Sequence, residues 1–251
     1  MTSVYDALQR VRQGGGRAVP LPGDRAALGG EPAPRPFAQL QGARAPGPIA
    51  AELTPLLAAV RPLIDSRRGA VVHVVATAAG EGTSTIAREF ALLAATTGRR
   101  RTLLLDGARG SLANARYFDC DTGRGLVDGI WMGSNEALEQ PIPGTSLSVA
   151  CLVGDRSNGV ADPVTLAAVY DQLRHQFELI VVDCAAMERG EYASLLPEAA
   201  DGILLVIRAE GTRPAVIGHA KSLVEQAGGR FLGAILNRRR NYIPDFLYRL
   251  L

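Results

Sequence analysis

Six apolar runs, at 71–76, 102–106, 147–152, 179–183, 202–207 and 231–236, constrain the fold of this chain more than any other feature. Most are near-continuous in Val, Ile and Leu rather than alternating with polar residues, the pattern of a strand covered on both faces. Segments of helical character lie between most of them, at 84–97, 163–176, 192–199 and 213–227. Strand and helix in alternation predict an α/β fold with a mostly parallel sheet and helices on both faces. At 251 residues, 47% of them hydrophobic, the chain has room for one such domain and an appendage.

The appendage is N-terminal. Ser3-Val4-Tyr5-Asp6 has the form of a capping box, and Val4, Leu8 and Val11 share a helical face, so a short helix is expected over 4–13. From Gly14 to Ala50, 15 of 37 residues are Gly or Pro, the composition of a disordered tether. Residues 1–48 therefore read as a helix on a flexible arm and 49–251 as the folded domain. Leu53, Leu56, Leu57, Val60 and Ile64 predict a further helix over 49–65, with Thr54-Pro55 as its cap and first turn.

Composition narrows the compartment and the partners. No run of 18 apolar residues offers a membrane span, and no apolar stretch follows Met1 as a signal peptide would require. A net charge of +2 is too small to argue for nucleic acid. Cys120, Cys151 and Cys184 lack metal spacing and read as reduced thiols of a cytoplasmic protein. His73 is expected to face the core, and neither His175 nor His219 suggests a metal site.

Chemistry is concentrated after the first apolar run. Val71-Val72-His73-Val74-Val75 leads into Thr77-Ala78-Ala79-Gly80-Glu81-Gly82-Thr83-Ser84-Thr85, which opens a helix. A strand, a Gly-x-Gly turn and a helix N-terminus together make a phosphate-binding loop, in which main-chain N–H groups grip the anion. Gly80, Glu81, Gly82, Thr83, Ser84 and Thr85 are the candidate nucleotide-binding residues, with the Ser84 hydroxyl placed to ligate Mg²⁺. Such loops carry Gly-Lys-Ser or Gly-Lys-Thr; this one has Gly82-Thr83-Ser84, and Lys221 is the only lysine of the chain.

Two further runs end in carboxylates, Leu103-Leu104-Leu105-Asp106 and Leu179-Ile180-Val181-Val182-Asp183. An aspartate at a strand C-terminus beside a phosphate loop either holds Mg²⁺ or activates a nucleophile, or else caps the following turn. Asp106 and Asp183 are accordingly the candidate catalytic residues and, with Ser84, the candidate Mg²⁺ ligands. Gly233-Ala234-Ile235-Leu236-Asn237 ends in a carboxamide able to read an adenine edge.

The order of these pieces resembles the cytoplasmic domain of bacterial tyrosine autokinases of capsule and exopolysaccharide synthesis, relatives of the Min/Par P-loop ATPases. The resemblance spans roughly 50–251. Ala79-Gly80-Glu81-Gly82-Thr83-Ser84-Thr85 is similar to that family's P-loop, Arg101-Thr102-Leu103-Leu104-Leu105-Asp106 to its second Walker strand, and Phe177-Glu178-Leu179-Ile180-Val181-Val182-Asp183 to its Walker B strand. Gly125-Leu126-Val127-Asp128, Ala161-Asp162-Pro163-Val164-Thr165-Leu166 and Ala200-Asp201-Gly202-Ile203-Leu204-Leu205-Val206 are similar to its remaining landmarks. The resemblance implies a P-loop NTPase-like fold, ATP with Mg²⁺, a place at the inner membrane held through a partner, and an inner-membrane chain-length regulator or co-polymerase as that partner, with self-association open.

The departures point toward impaired catalysis. Thr83 replaces the lysine. The family's Asp-x-Asp becomes Asp106-Gly107-Ala108, and its Thr-Pro-Pro after Walker B becomes Cys184-Ala185-Ala186. Glu52 is followed by Pro55 and Ala58 where the ring-assembly motif has arginines, and Tyr242 and Tyr248 stand in place of a tyrosine-rich tail. The resulting expectation is a regulatory or assembly partner in polysaccharide synthesis and export, with weak or absent ATP binding. One alternative is an active kinase or ATPase whose missing charge comes from an arginine, Arg109 being nearest in sequence. The other is a Min/Par-like positioning ATPase, disfavoured by the missing lysines. At the C-terminus, Ile243, Phe246, Leu247 and Leu250 form an apolar helical face behind Arg238-Arg239-Arg240, suited to packing on the core or docking at a partner.

Overall fold

The computed structural model describes residues 47, 49–66, 68–108, 112–132, 138–157, 162–190 and 192–238. The expected helix over 4–13, the arm through residue 46 and the C-terminal apolar face lie outside the described residues; at the arm's end Gly47 is described, donating its N–H to Glu89 Oε2. Seven strands form one sheet: β1 (Ala70–Ala76), β2 (Thr102–Asp106), β3 (Gln140–Pro141), β4 (Leu147–Cys151), β5 (Leu179–Asp183), β6 (Gly202–Arg208) and β7 (Phe231–Asn237). Their order is β3-β4-β2-β5-β1-β6-β7. Only the two-residue β3 runs antiparallel to its neighbour; every other pairing is parallel. The six apolar runs are thus six parallel strands, and the α/β expectation holds.

Strand parity divides the core in two. Val72, Val74, Leu104, Val181, Leu204 and Val206 face one side, and Val71, Val75, Leu103, Leu105, Ile180, Val182 and Leu205 face the other. On the first side lie α1 (Ala50–Ser66) and α2 (Thr83–Thr97), and on the second α5 (Pro163–Gln176) and α6 (Pro214–Gln226). Ala87, Ala91 and Ala94 are fully buried on α2, small enough to let the helix sit closely on the strands. Two short helices, α3 (Ala113–Tyr117) and α4 (Leu126–Met132), connect β2 toward β4.

Local rules explain most boundaries. Asp162 caps α5, accepting from the backbone N–H of Val164 and Thr165 at 3.0 Å each, with Pro163 in the first helical position. Arg174 on α5 pairs with Asp201 and donates to the carbonyls of Gly69 (2.6 Å) and Ala199 (2.9 Å), closing the end of the sheet away from the phosphate loop. His73 lies wholly buried against the hydroxyls of Tyr170 (3.0 Å) and Tyr192 (3.5 Å), and burial pushes its imidazole down to about 3, so it is a neutral core residue.

Two expected elements differ. α1 begins at Ala50, before Thr54, so Thr54-Pro55 is not its cap; Pro55 and Pro62 lie inside the helix on its exposed side, where an unbonded carbonyl can meet water. Residues 192–199 form two 3₁₀ turns, Tyr192–Leu195 and Pro197–Ala199, because Leu196 at φ 50° and Pro197 break any continuous helix.

Candidate functional site

The loop after β1 is built by three clamps. The first is Glu81. Its Oε2 accepts from the N–H (2.9 Å) and hydroxyl (2.8 Å) of Thr77 and from the N–H of Ala78 (3.0 Å). Its Oε1 accepts from the N–H of Arg208 (3.2 Å) and the hydroxyl of Thr212 (2.5 Å) beyond β6. Desolvation pushes this carboxyl up, but donation from Thr212, Ala78, Thr77 and Arg208 outweighs it and holds the group below the ordinary carboxylate range.

The second clamp is Asn237 at the end of β7. Its Nδ2 donates to the Glu81 carbonyl at 2.7 Å, and its Oδ1 accepts from the N–H of Arg238 at 2.8 Å. The third is Glu188 in the turn after β5. It donates its N–H to the Thr77 carbonyl (3.2 Å) and accepts from the Ala79 N–H through Oε1 (2.7 Å).

Gly80 and Gly82 take φ of 79° and 99°, conformations that cost a side chain dearly. α2 starts at Thr83, and its first intrahelical donor is Ile86, to the Gly82 carbonyl at 3.0 Å. The N–H groups of Thr83, Ser84 and Thr85 therefore precede the helical ladder and point from the N-terminus, as anion binding requires. A cleft of about 280 Å³ lies over them, bounded by Ala78–Gly80, Gly82–Thr85, Ala108, Asp183–Ala186, Arg189 and Arg238.

The two carboxylates have different fates. Asp106 and Asp183 are register partners on β2 and β5. Asp106 is almost fully buried and accepts from the N–H groups of Asn114 (3.1 Å) and Ala115 (2.8 Å) and from Asn114 Nδ2 (2.8 Å). It caps α3, the alternative role left open for it, and does not line the cleft. Asp183 does. Asn114 Nδ2 also donates to Asp183 Oδ2 at 2.9 Å, so one amide bridges both carboxylates. Asn114 Oδ1 accepts from Arg88 Nη1 at 3.4 Å, and the Arg88 guanidinium rests 3.8 Å from the Tyr117 ring centroid. Burial pushes Asp183 up to about 7; the Asp106 charge adds to this, while the Ser84 hydroxyl, Asn114 and Arg88 oppose it. Burial also raises Asp106, against the hydrogen bonds from Ala115 and Asn114.

These residues fit a phosphate held by main-chain N–H groups. They fit Mg²⁺ through the Ser84 hydroxyl and the Asp183 carboxylate, with Asp106 behind them. Among the described residues no group of three or more His, Cys, Asp or Glu could hold a metal. Bound there, Mg²⁺ would neutralise phosphate charge.

Of the residues singled out in the sequence, Gly80, Gly82, Thr83, Ser84, Thr85 and Asp183 border the cleft. Glu81 and Asn237 instead face inward as clamps, the Asn237 amide giving one N–H to the Glu81 carbonyl and one lone pair to the Arg238 N–H. Arg109 lies outside the described residues, and Lys221 pairs with Glu225 on α6 at 3.7 Å. Sequence reading missed Asn114, Arg88, Glu188, Arg189 and Arg238. Only Arg238 carried a signal, as the neighbour of Asn237.

No protein-family model matches the chain. The tyrosine-protein kinase CpsD of Streptococcus agalactiae serotype III (strain NEM316) is 25% identical over 182 residues, 70% of this chain and 77% of that protein. Among solved structures, the VpsO kinase domain superposes with a TM-score of 0.66 at 21% identity, over 76% of this chain and 94% of that one. The cell division ATPase MinD of Pyrococcus furiosus superposes with a TM-score of 0.54 at 20% identity, over 72% and 79%.

Proposed function

We propose, for a chain that belongs with the bacterial tyrosine autokinases of capsule and exopolysaccharide synthesis in the Min/Par-like P-loop superfamily, a role in polysaccharide synthesis and export as a catalytically impaired regulatory or assembly partner. It retains a nucleotide site of low affinity. The observation that carries this reading is the cleft itself. Ser84, Thr85 and Asp183 border it at the start of α2, which supports a phosphate site, but Thr83 and Ala108 border it where a lysine and a second carboxylate would stand.

Phosphoryl transfer rests on positioning and charge. Loss of a charge-assisted contact lowers ground-state affinity by about 1.5–3 kcal/mol, and a single transition-state cation is worth on the order of 10³–10⁵ in rate. Weak binding survives such losses; efficient transfer does not. The partner in this reading is an inner-membrane chain-length regulator or co-polymerase, which would hold the chain at the membrane surface. No helix among the described residues is long and apolar enough to cross a membrane.

The test is calorimetric titration of the full chain with MgATP, together with phosphotyrosine detection, on the wild type and on Thr83→Lys. Weak binding without phosphotyrosine in the wild type, and binding tightened about tenfold in Thr83→Lys, are expected. Strong autophosphorylation of the unmodified chain would overturn the impaired reading.

A further inference from the structure

The loop lacks its lysine, yet cations border the cleft. Arg189 stands in the turn after β5 and Arg238 just beyond β7, both exposed and both at the cleft that covers the α2 N-terminus. Among the described residues neither guanidinium has an ion-pair partner. No other arginine of the described residues lines this cleft, Arg88 being turned onto Asn114 and the Tyr117 ring.

Each arginine directly follows a clamp. Glu188 grips the loop at Thr77 and Ala79 through two hydrogen bonds, and Arg189 is the next residue. Asn237 grips the Glu81 carbonyl, and Arg238 is the next residue. Arg238 is also held at φ 57°, a left-handed conformation unusual for arginine, with its N–H turned onto Asn237 Oδ1. A strained backbone persists where its surroundings over-determine it. Gly82 shows how tight this packing is: a Cβ there would come within 2.2 Å of Asn237 Nδ2. The clamps that shape the loop thus also fix the backbone of one arginine on each of two sides of it.

We infer that Arg189 and Arg238 replace the missing lysine, supplying from the β5 turn and the β7 terminus the positive charge that holds the polyphosphate of a nucleoside di- or triphosphate over the α2 N-terminus. The inference rests on the nucleotide-site reading above and adds to it the source of the charge. A guanidinium presents a planar fork of donors suited to phosphate oxygens, which a threonine at position 83 cannot provide.

Calorimetric titration of the full chain with MgADP tests this, on the wild type, Arg189→Gln, Arg238→Gln, the double glutamine variant and the double lysine variant. Each single glutamine variant is expected to bind about tenfold more weakly and the double about a hundredfold. The double lysine variant is expected to retain affinity within about threefold, and addition of Thr83→Lys to the double glutamine variant to recover most of the loss. The fall of affinity with added salt becomes shallower in the double glutamine variant, as a merely structural role would not make it. Wild-type binding that is unchanged in the double glutamine variant overturns the arginine assignment and leaves the nucleotide site standing. A wild type that binds no MgADP overturns the nucleotide site, and the assignment with it.

Discussion

At the scale of single residues, the site sets two carboxylates against each other. Asp183 is raised from an ordinary value of 3.8 to about 7 in the fold, so the folded chain binds a proton there that the unfolded chain has released. Its contribution to stability is therefore complete below about pH 4 and is lost as pH rises through about 7. A rise of this size corresponds to roughly 4 kcal/mol as an upper figure. We expect Asp183→Asn to stabilise the ligand-free chain by about 1–3 kcal/mol at about pH 8 and to flatten the decline between pH 4 and 7, measured by urea unfolding across pH; no gain at high pH would refute it. Glu81 carries the opposite sign. Held below 4.5, it contributes stability above that value and loses it as pH falls. Glu81→Gln puts an amide N–H₂ against donors, and a loss of about 2–4 kcal/mol is expected at neutral pH by the same measurement. Sequence reading named both residues because the motif order did. It could not see that five donors from two separate segments converge on Glu81, since Arg208 reaches it from the end of β6 and Thr212 from the turn that follows.

At the scale of elements, the turn between β1 and α2 depends on two glycines of unequal tolerance. A Cβ at Gly80 would meet nothing within 4 Å, whereas one at Gly82 would collide with the Asn237 amide. Gly80→Ala should cost about 1 kcal/mol, the backbone contribution alone, and Gly82→Ala about 2–4 kcal/mol. In an Asn237→Ala background the cost of Gly82→Ala should fall to near that of Gly80→Ala, a non-additivity that a double-mutant cycle reads directly. The central strands were legible because burial on both faces writes itself as an unbroken apolar run. α3 was not: its five residues are too few for periodicity, and its start is set by Asp106, a residue eight positions from Asn114 whose motif suggested a metal. The segment 192–199 read as one helix because its composition is helical, and one left-handed leucine before a proline divides it. The same limit hid Asn114, whose only sign is the pair of carboxylates that folding brings around it.

At the scale of the molecule, the phosphate loop is tied to four adjoining strands. It continues directly from β1, whose seven residues are all buried between β5 and β6. Glu188 fastens it beyond β5, Glu81 to the end of β6, and Asn237 to the end of β7. A loop anchored in this way cannot open alone without breaking bonds to the centre of the sheet. Ligand binding is therefore coupled to global unfolding rather than to local fraying. At a free MgADP concentration one hundred times its dissociation constant, stabilisation is about 2.7 kcal/mol, or roughly 5–10 °C in Tm for a domain of this size. Hydrogen exchange should slow in β1, β5 and β6 together with residues 77–85, by a common factor of about a hundred. Slowing confined to the loop would mean that the clamps do not transmit, and that the cleft is a surface feature rather than part of the sheet's own stability.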